Sequence, residues 1–183
     1  MRTPSDPTEP RAARPLVVVM GVAGSGKSTI GAALADRLRL PFRDADDLHP
    51  PVNVEKMSRG VALTDADRAP WLAAVGEEIA RHRVPGLVIA CSALKVAYRD
   101  ALRAHAPEVF FVHLETSKRV LAQRMVMRSE HFMPLALLDS QLDTLEPLAP
   151  GEGGLTIDAG RRVDTIIGRV ERSLRRMPAG HPA

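Results

Sequence analysis

Residues 21–28 read Gly-Val-Ala-Gly-Ser-Gly-Lys-Ser, which fits the spacing G-x-x-x-x-G-K-[ST]. The residue types define the chemistry. Glycines let successive backbone N–H groups curl around phosphate oxygens, and a helix opening at the end of the run turns its positive end toward the same anion. Lys27 would reach the β- and γ-phosphates of a nucleoside triphosphate, and Ser28 would offer its hydroxyl to Mg²⁺. Gly21, Val22, Ala23, Gly24, Ser25, Gly26, Lys27, Ser28 and Thr29 form the nucleotide-binding set. A chance glycine turn is the alternative, but the motif requires a strand before it and a helix after it. Leu16–Met20 and Ser28–Leu40 supply both.

Further reactive side chains follow other apolar runs. Asp44 and Asp46 are two apart, so on a continuing strand their carboxylates share a face. One of them can orient a hydroxyl nucleophile and accept its proton, or hold Mg²⁺ directly or through water. Asp46, nearer the open end, is the choice for these roles, while Asp44 and Asp47 are equally suited to capping a helix. After residues 87–91 come Ser92 and Lys95, with Arg99 one helical turn on. Lys95 and Arg99 could grip a carboxylate from one helix face, or could be a solvated basic pair. No Asp stands at the end of that strand, so a metal must lean on Ser28, the nucleotide and water, with Asp46 assisting. Arg124 and Arg128, also one turn apart, precede the polar break Ser129–Pro134. They suit a lid that closes on the triphosphate, the alternative being surface ion pairs. The histidines have no metal-binding spacing. His49 and His131 read as polar contacts, and no G-x-S-x-G run redirects the chemistry to ester hydrolysis.

These groups need a frame that brings strand ends together. Apolar strand-like runs alternate with helical periodicity along the chain: strands at 16–20, 41–45, 87–91, 109–114 and 155–158, helices at 28–40, 98–105, 117–128 and 163–177. A further helix is expected from Pro70 in its first turn, capped near Asp67. This pattern predicts an α/β fold of three layers, a parallel sheet of about five strands with helices on both faces. Ligands then gather beyond the carboxyl ends of the strands.

Composition limits the classes of function. The 183 residues suit one domain, expected at 15–177, after a proline-rich disordered lead at 1–14 and before a short tail at 178–183. Aromatic residues make up 3% of the chain, which leaves few stacking platforms and argues against nucleic-acid recognition. The formal net charge of +3 favours acidic small molecules as partners. Cys91 is the sole cysteine, so a reducing compartment is expected, and no run is long enough to span a membrane. The cytoplasm follows by elimination.

Taken in order, several runs resemble the thermoresistant-type gluconokinases, small P-loop kinases related to shikimate and adenylate kinases. They are Met20–Ser28, Asp46-Asp47-Leu48-His49-Pro50, Asn53–Met57, Asp65–Leu72, and Cys91-Ser92-Ala93-Leu94-Lys95 followed by Tyr98-Arg99-Asp100. The likeness covers roughly residues 16–175. It implies phosphoryl transfer from ATP, with Mg²⁺, to the C6 hydroxyl of D-gluconate. It also implies a substrate segment at about 46–83, a lid near 125–134 and a homodimer. On this resemblance Asp46 orients the hydroxyl, while His49, Lys56, Arg68, Ser92, Lys95, Arg99 and His131 serve the sugar acid. Catalysis would rest on Lys27, Asp46 and Arg128, with Arg124 on the nucleotide. The chain departs from the family pattern at Ala45 and Glu130, where glycines are usual. A kinase for another polyhydroxy acid such as shikimate, or a nucleotide-dependent switch, remains the alternative. The Asn-Lys-x-Asp run of a guanine-binding switch is absent.

Overall fold

A computed structural model of the chain describes residues 14–126 and 135–177. Its strands are β1 Leu16–Met20, β2 Phe42–Asp44, β3 Leu87–Ala90, β4 Phe110–Glu115 and β5 Gly154–Asp158. All are parallel, in the order β2-β3-β1-β4-β5. The helices are α1 Lys27–Leu38, α2 Pro51–Ser58, α3 Asp65–Arg81, α4 Val96–His105, α5 Lys118–Val126, α6 Leu135–Thr144 and α7 Val163–Leu174. The expected three-layer α/β architecture is therefore present.

β1 is buried along its whole length because both of its faces are covered. Strand alternation divides its side chains between two cores. Leu16, Val18 and Met20 join Trp71, Val75 and Ile79 of α3 and Leu102 of α4. Val17 and Val19 join Ile30 and Leu34 of α1 and Ile166, Ile167 and Val170 of α7. The chain leaves β1 toward β2 and β3 on one side, then crosses to β4 and β5 on the other. β1 thus ends at the point where strand order reverses, which is where such sheets open a crevice.

The local structure departs from the sequence expectations in several places. β2 stops at Asp44, and Ala45–Leu48 form a 3₁₀ turn, so Asp44 and Asp46 do not share a strand face. α3 begins before Pro70, at Asp65, because Thr64 and Asp67 form a reciprocal capping box that fixes the start. Asp67 N–H donates to Thr64 Oγ1 at 3.2 Å, and Thr64 N–H donates to Asp67 Oδ2 at 2.9 Å. Finally, α6 has no counterpart among the predicted elements. Its Leu138 and Leu142, with Leu145 just beyond, cover Val22, Leu94 and Leu121 in a third apolar cluster.

Candidate active site

The phosphate loop connects β1 to α1 through glycines in conformations that L side chains rarely adopt. Gly21 has φ 140°, and a Cβ there would stand 3.0 Å from both Leu114 O and Ser25 Oγ. Gly26, with φ 98°, precedes α1 without a side-chain cap. The first intrahelical bond is Ile30 N–H to Gly26 O at 2.9 Å, so the turn before it aims the Ser28 and Thr29 amides at the anion position. Lys27 Nζ bonds Val22 O at 3.1 Å, folding its ammonium back over the loop. Arg124 of α5 donates to the carbonyls of Gly24 and Ser25 at 3.4 and 3.3 Å and to Ala159 O at 3.1 Å. It braces the loop rather than forming a surface ion pair.

The Ser28 hydroxyl has a carboxylate partner in Asp44. Ser28 Oγ donates to Asp44 Oδ2 at 2.7 Å, and Asp44 Oδ1 accepts the Asp46 N–H at 3.1 Å. Asp46 follows in the 3₁₀ turn, within electrostatic reach of both Asp44 and Lys27. Asp46 is exposed. The protein mass around it restricts hydration, and this raises its pKa above the ordinary value. Asp44 and Asp47 add to the rise, while Lys27 opposes it. Ser28 and Asp44 are hard oxygen donors of the kind Mg²⁺ accepts. Among the described residues no three His, Cys, Asp or Glu side chains form a metal cluster.

A second group of side chains comes from His49 before α2, from α2 and α3, and from the turn leading into α4 and its start. His49 stacks on Trp71 with ring centroids 4.3 Å apart and planes 10° apart. Trp71 Nε1 donates to Ala45 O at 2.7 Å, which fixes the indole. Burial lowers the His49 pKa to about 4, with Arg68 adding to the effect. Lys56 pairs with Asp67 at 2.6 Å. Lys95 donates to Asp65 at 2.9 and 2.8 Å, and Tyr98 donates its hydroxyl to the same carboxylate. Arg68 reaches Leu63 O and the Tyr98 hydroxyl, and both Arg68 and Lys95 lie over the Tyr98 ring. Ser92 O accepts the Gly21 N–H at 3.3 Å, so the turn after β3 touches the phosphate loop. Ala93 in that turn has φ 42°, a left-handed conformation unusual for a side-chain-bearing residue.

Arg99 does not join this group. Its guanidinium is fully buried: Nε and Nη2 bond Glu152 at 2.7 and 2.8 Å, and further bonds go to the carbonyls of Ala93, Leu94, Glu146 and Pro147. With its donors spent on the protein, Arg99 shapes the β3–α4 turn and cannot grip a substrate carboxylate. Lys95, one turn earlier, stands at the N-cap of α4 outside that interior. The expected pairing of the two on one binding face is therefore absent. Arg128 and His131 lie outside the described residues, as does most of the expected lid.

Sequence spacing overlooked Asp44 as the partner of Ser28, and also Asp65 and Tyr98 around Lys95 and Gln141 on the phosphate loop. The T-x-x-D run at Thr64–Asp67 carried a capping signal that places α3, and with it Asp65 and Arg68. Gln141 had no local signal, because its partner is Ala23.

A nucleotide loop after the central strand, a serine–carboxylate pair beside it and a polar, cation-bearing wall across the crevice define a P-loop kinase for a small molecule. A family model described as shikimate kinase matches residues 23–148. The gluconokinase of Gluconobacter oxydans (strain 621H) is 47% identical over 154 residues, 82% of this chain and 86% of that protein. The crystal structure of a gluconokinase from Sinorhizobium meliloti 1021 has a TM-score of 0.81 at 47% identity, covering 88% of this chain and 92% of that one. A shikimate kinase from Bacteroides thetaiotaomicron shares the fold, with a TM-score of 0.65 and 20% identity over 88% of this chain and 98% of that one. The chain belongs to the gluconokinase family, within the shikimate-kinase-like P-loop kinases.

Proposed function

We propose that the chain transfers the γ-phosphoryl group of ATP to the C6 hydroxyl of D-gluconate, giving 6-phosphogluconate and ADP. The observation that carries this reading is the meeting of two differently equipped surfaces at the carboxyl end of the sheet. The phosphate loop after β1 and the turn leading to Lys95 are joined there by the Gly21–Ser92 bond of 3.3 Å. Loop amides, Lys27 and Arg124 suit the nucleotide. His49, Lys56, Arg68, Ser92 and Lys95 suit a polyhydroxy acid, since one carboxylate takes a cation and many hydroxyls take neutral partners. His49 is neutral at physiological pH, so its ring can exchange hydrogen bonds with hydroxyls without adding charge.

Asp46 aligns the acceptor hydroxyl and receives its proton, a role helped by the desolvation that raises its pKa above the ordinary value. Ser28 and Asp44 would hold Mg²⁺ directly or through water. Mg²⁺, when bound with the triphosphate, neutralises charge on its β- and γ-oxygens. Arg128 and His131 complete the reading as lid contacts within about 125–134, one for developing phosphoryl charge and one for the acceptor. The substrate segment corresponds to about 46–83. We read the protein as a cytoplasmic homodimer, the compartment from its single free thiol and the dimer from the family.

An ADP-release assay across gluconate, shikimate and other polyhydroxy acids tests the reading. Gluconate is expected to give the highest kcat/KM, and turnover with another acid but not gluconate would overturn the assignment. In the same assay Asp46→Ala should lower kcat by about 10²- to 10⁴-fold while ATP binding changes little.

A further inference from the structure

Gln141 lies on α6, and its Oε1 accepts the Ala23 N–H in the middle of the phosphate loop at 2.7 Å. Neighbouring parts of the loop are held from the same side. Val22 is buried in one apolar cluster with Leu94, Leu121 of α5 and Leu138 of α6. Arg124 of α5 binds the carbonyls of Gly24 and Ser25. From Val22 to Ser25 the loop is therefore fixed by apolar packing, by an acceptor for one amide and by a donor for two carbonyls. A loop whose other amides must converge on one anion binds best when its shape is set beforehand, since ordering it on binding weakens affinity.

The residue type at position 141 is as informative as its place. A side-chain amide accepts the Ala23 N–H without adding charge. A carboxylate of equal length would accept the same bond but would put a negative charge beside the triphosphate. Packing alone would be satisfied by an apolar side chain of similar size, yet the Ala23 N–H would then lose its acceptor.

We propose that Gln141 is a positioning residue for the nucleotide: its neutral amide holds the Ala23 N–H, so that the loop's remaining amides stay directed at the phosphates. The inference deepens the ATP-dependent kinase reading and rests on it for the nucleotide alone. Calorimetric binding of ATP, ADP and AMP, with Mg²⁺ and no acceptor, tests it on the full chain. Gln141→Met keeps the volume and removes the acceptor; the Kd for ATP should rise about fivefold to twentyfold. The KM for gluconate should stay within about twofold, because the hydrogen bond of Gln141 goes to the phosphate loop and not to the acceptor wall. Gln141→Glu keeps the acceptor and adds charge; its thermal midpoint should match wild type, and binding should weaken in the order ATP, then ADP, then AMP. A Kd for ATP within about twofold of wild type in Gln141→Met overturns the proposal. Equal weakening of all three nucleotides in Gln141→Glu also overturns it, and that variant decides the matter if Gln141→Met does not fold. A wild-type chain that binds ATP but phosphorylates no acid defeats the gluconokinase reading and leaves this binding comparison standing.

Discussion

Ser28 Oγ donates to Asp44 Oδ2 at 2.7 Å, tying the last residue of the phosphate loop to the last residue of β2. The same carboxylate accepts the Asp46 N–H at 3.1 Å and so starts the 3₁₀ turn that holds Asp46. One side chain thus fixes the nucleotide-side hydroxyl and the direction of the acceptor-side acid. No Asp follows β3, and Asp44 on the neighbouring strand provides a carboxylate beside Ser28 in its place.

From this follows a division between the two acids. Asp44→Asn should raise the Mg²⁺ concentration for half-maximal activity by roughly tenfold, because the proposed metal site would lose a charged oxygen donor. The Asn oxygen still accepts the Asp46 N–H, so the melting temperature should change little. Asp46→Asn should depress kcat and leave the Mg²⁺ dependence where it was. Magnesium titrations of both variants settle the matter, and a shifted Mg²⁺ midpoint in Asp46→Asn alone would reverse the roles.

The Arg99–Glu152 pair predicts a loss of stability rather than of substrate affinity. The Arg99 side chain is fully buried and that of Glu152 nearly so. Glu152→Ala would leave a buried guanidinium short of its carboxylate, an arrangement that costs about 3–5 kcal/mol in other proteins. Urea unfolding should register this, while the KM for gluconate of the folded fraction stays close to wild type. Bonds from Arg99, then from Ala149 N–H and Arg103, hold the Glu152 pKa at about 2. Because the folded value lies below the unfolded one, the stabilisation is complete above the ordinary Glu range and fades as pH falls toward 2.

How far the sequence reaches depends on whether a feature is local. β1, the phosphate loop and α1 were legible because glycine spacing, an apolar run and helical periodicity sit side by side in residues 16–38. Asp46 and Lys95 were singled out from their position after strands, whereas His49 was reached only through the family resemblance. Arg99 was misread because its i, i+4 spacing from Lys95 says nothing of Glu152, its partner more than fifty positions on, and spacing cannot reveal burial. Asp44 was passed over because the sequence does not announce that β2 ends there. The start of α3 was shifted because Pro70 gave a first-turn signal, and the Thr64–Asp67 box overrode it.

Cys91 offers a simple check on the core. It is buried, and desolvation pushes its thiol pKa up to about 12. The native protein should therefore resist alkylation by iodoacetamide at pH 8, and react only after denaturant exposes the strand end. Rapid modification of the folded chain, read by intact mass, would contradict the burial of Cys91 in the core cluster with Met20 and Trp71.

His49 and Trp71 give a spectroscopic test of the acceptor wall. The chain has one Trp, so its intrinsic emission reports a single site. His49 stacks on that ring at 4.3 Å, and a protonated imidazole in such contact quenches indole fluorescence. The quenching transition should have its midpoint near the His49 pKa of about 4 rather than at the usual value of 6.5. Burial is the main cause and the Arg68 charge the second, so Arg68→Gln should move the midpoint upward without restoring the usual value. Linkage gives the sign for stability. Between pH 6.5 and 4 the unfolded chain binds a proton that the folded chain refuses, so His49 makes stability rise with pH across that window and fall on acidification. The pH profile of kcat/KM for gluconate should accordingly show no inflection from this histidine between pH 6 and 8. A fluorescence midpoint at 6.5 would mean that His49 is hydrated, and that the wall formed by His49, Trp71 and Arg68 is open.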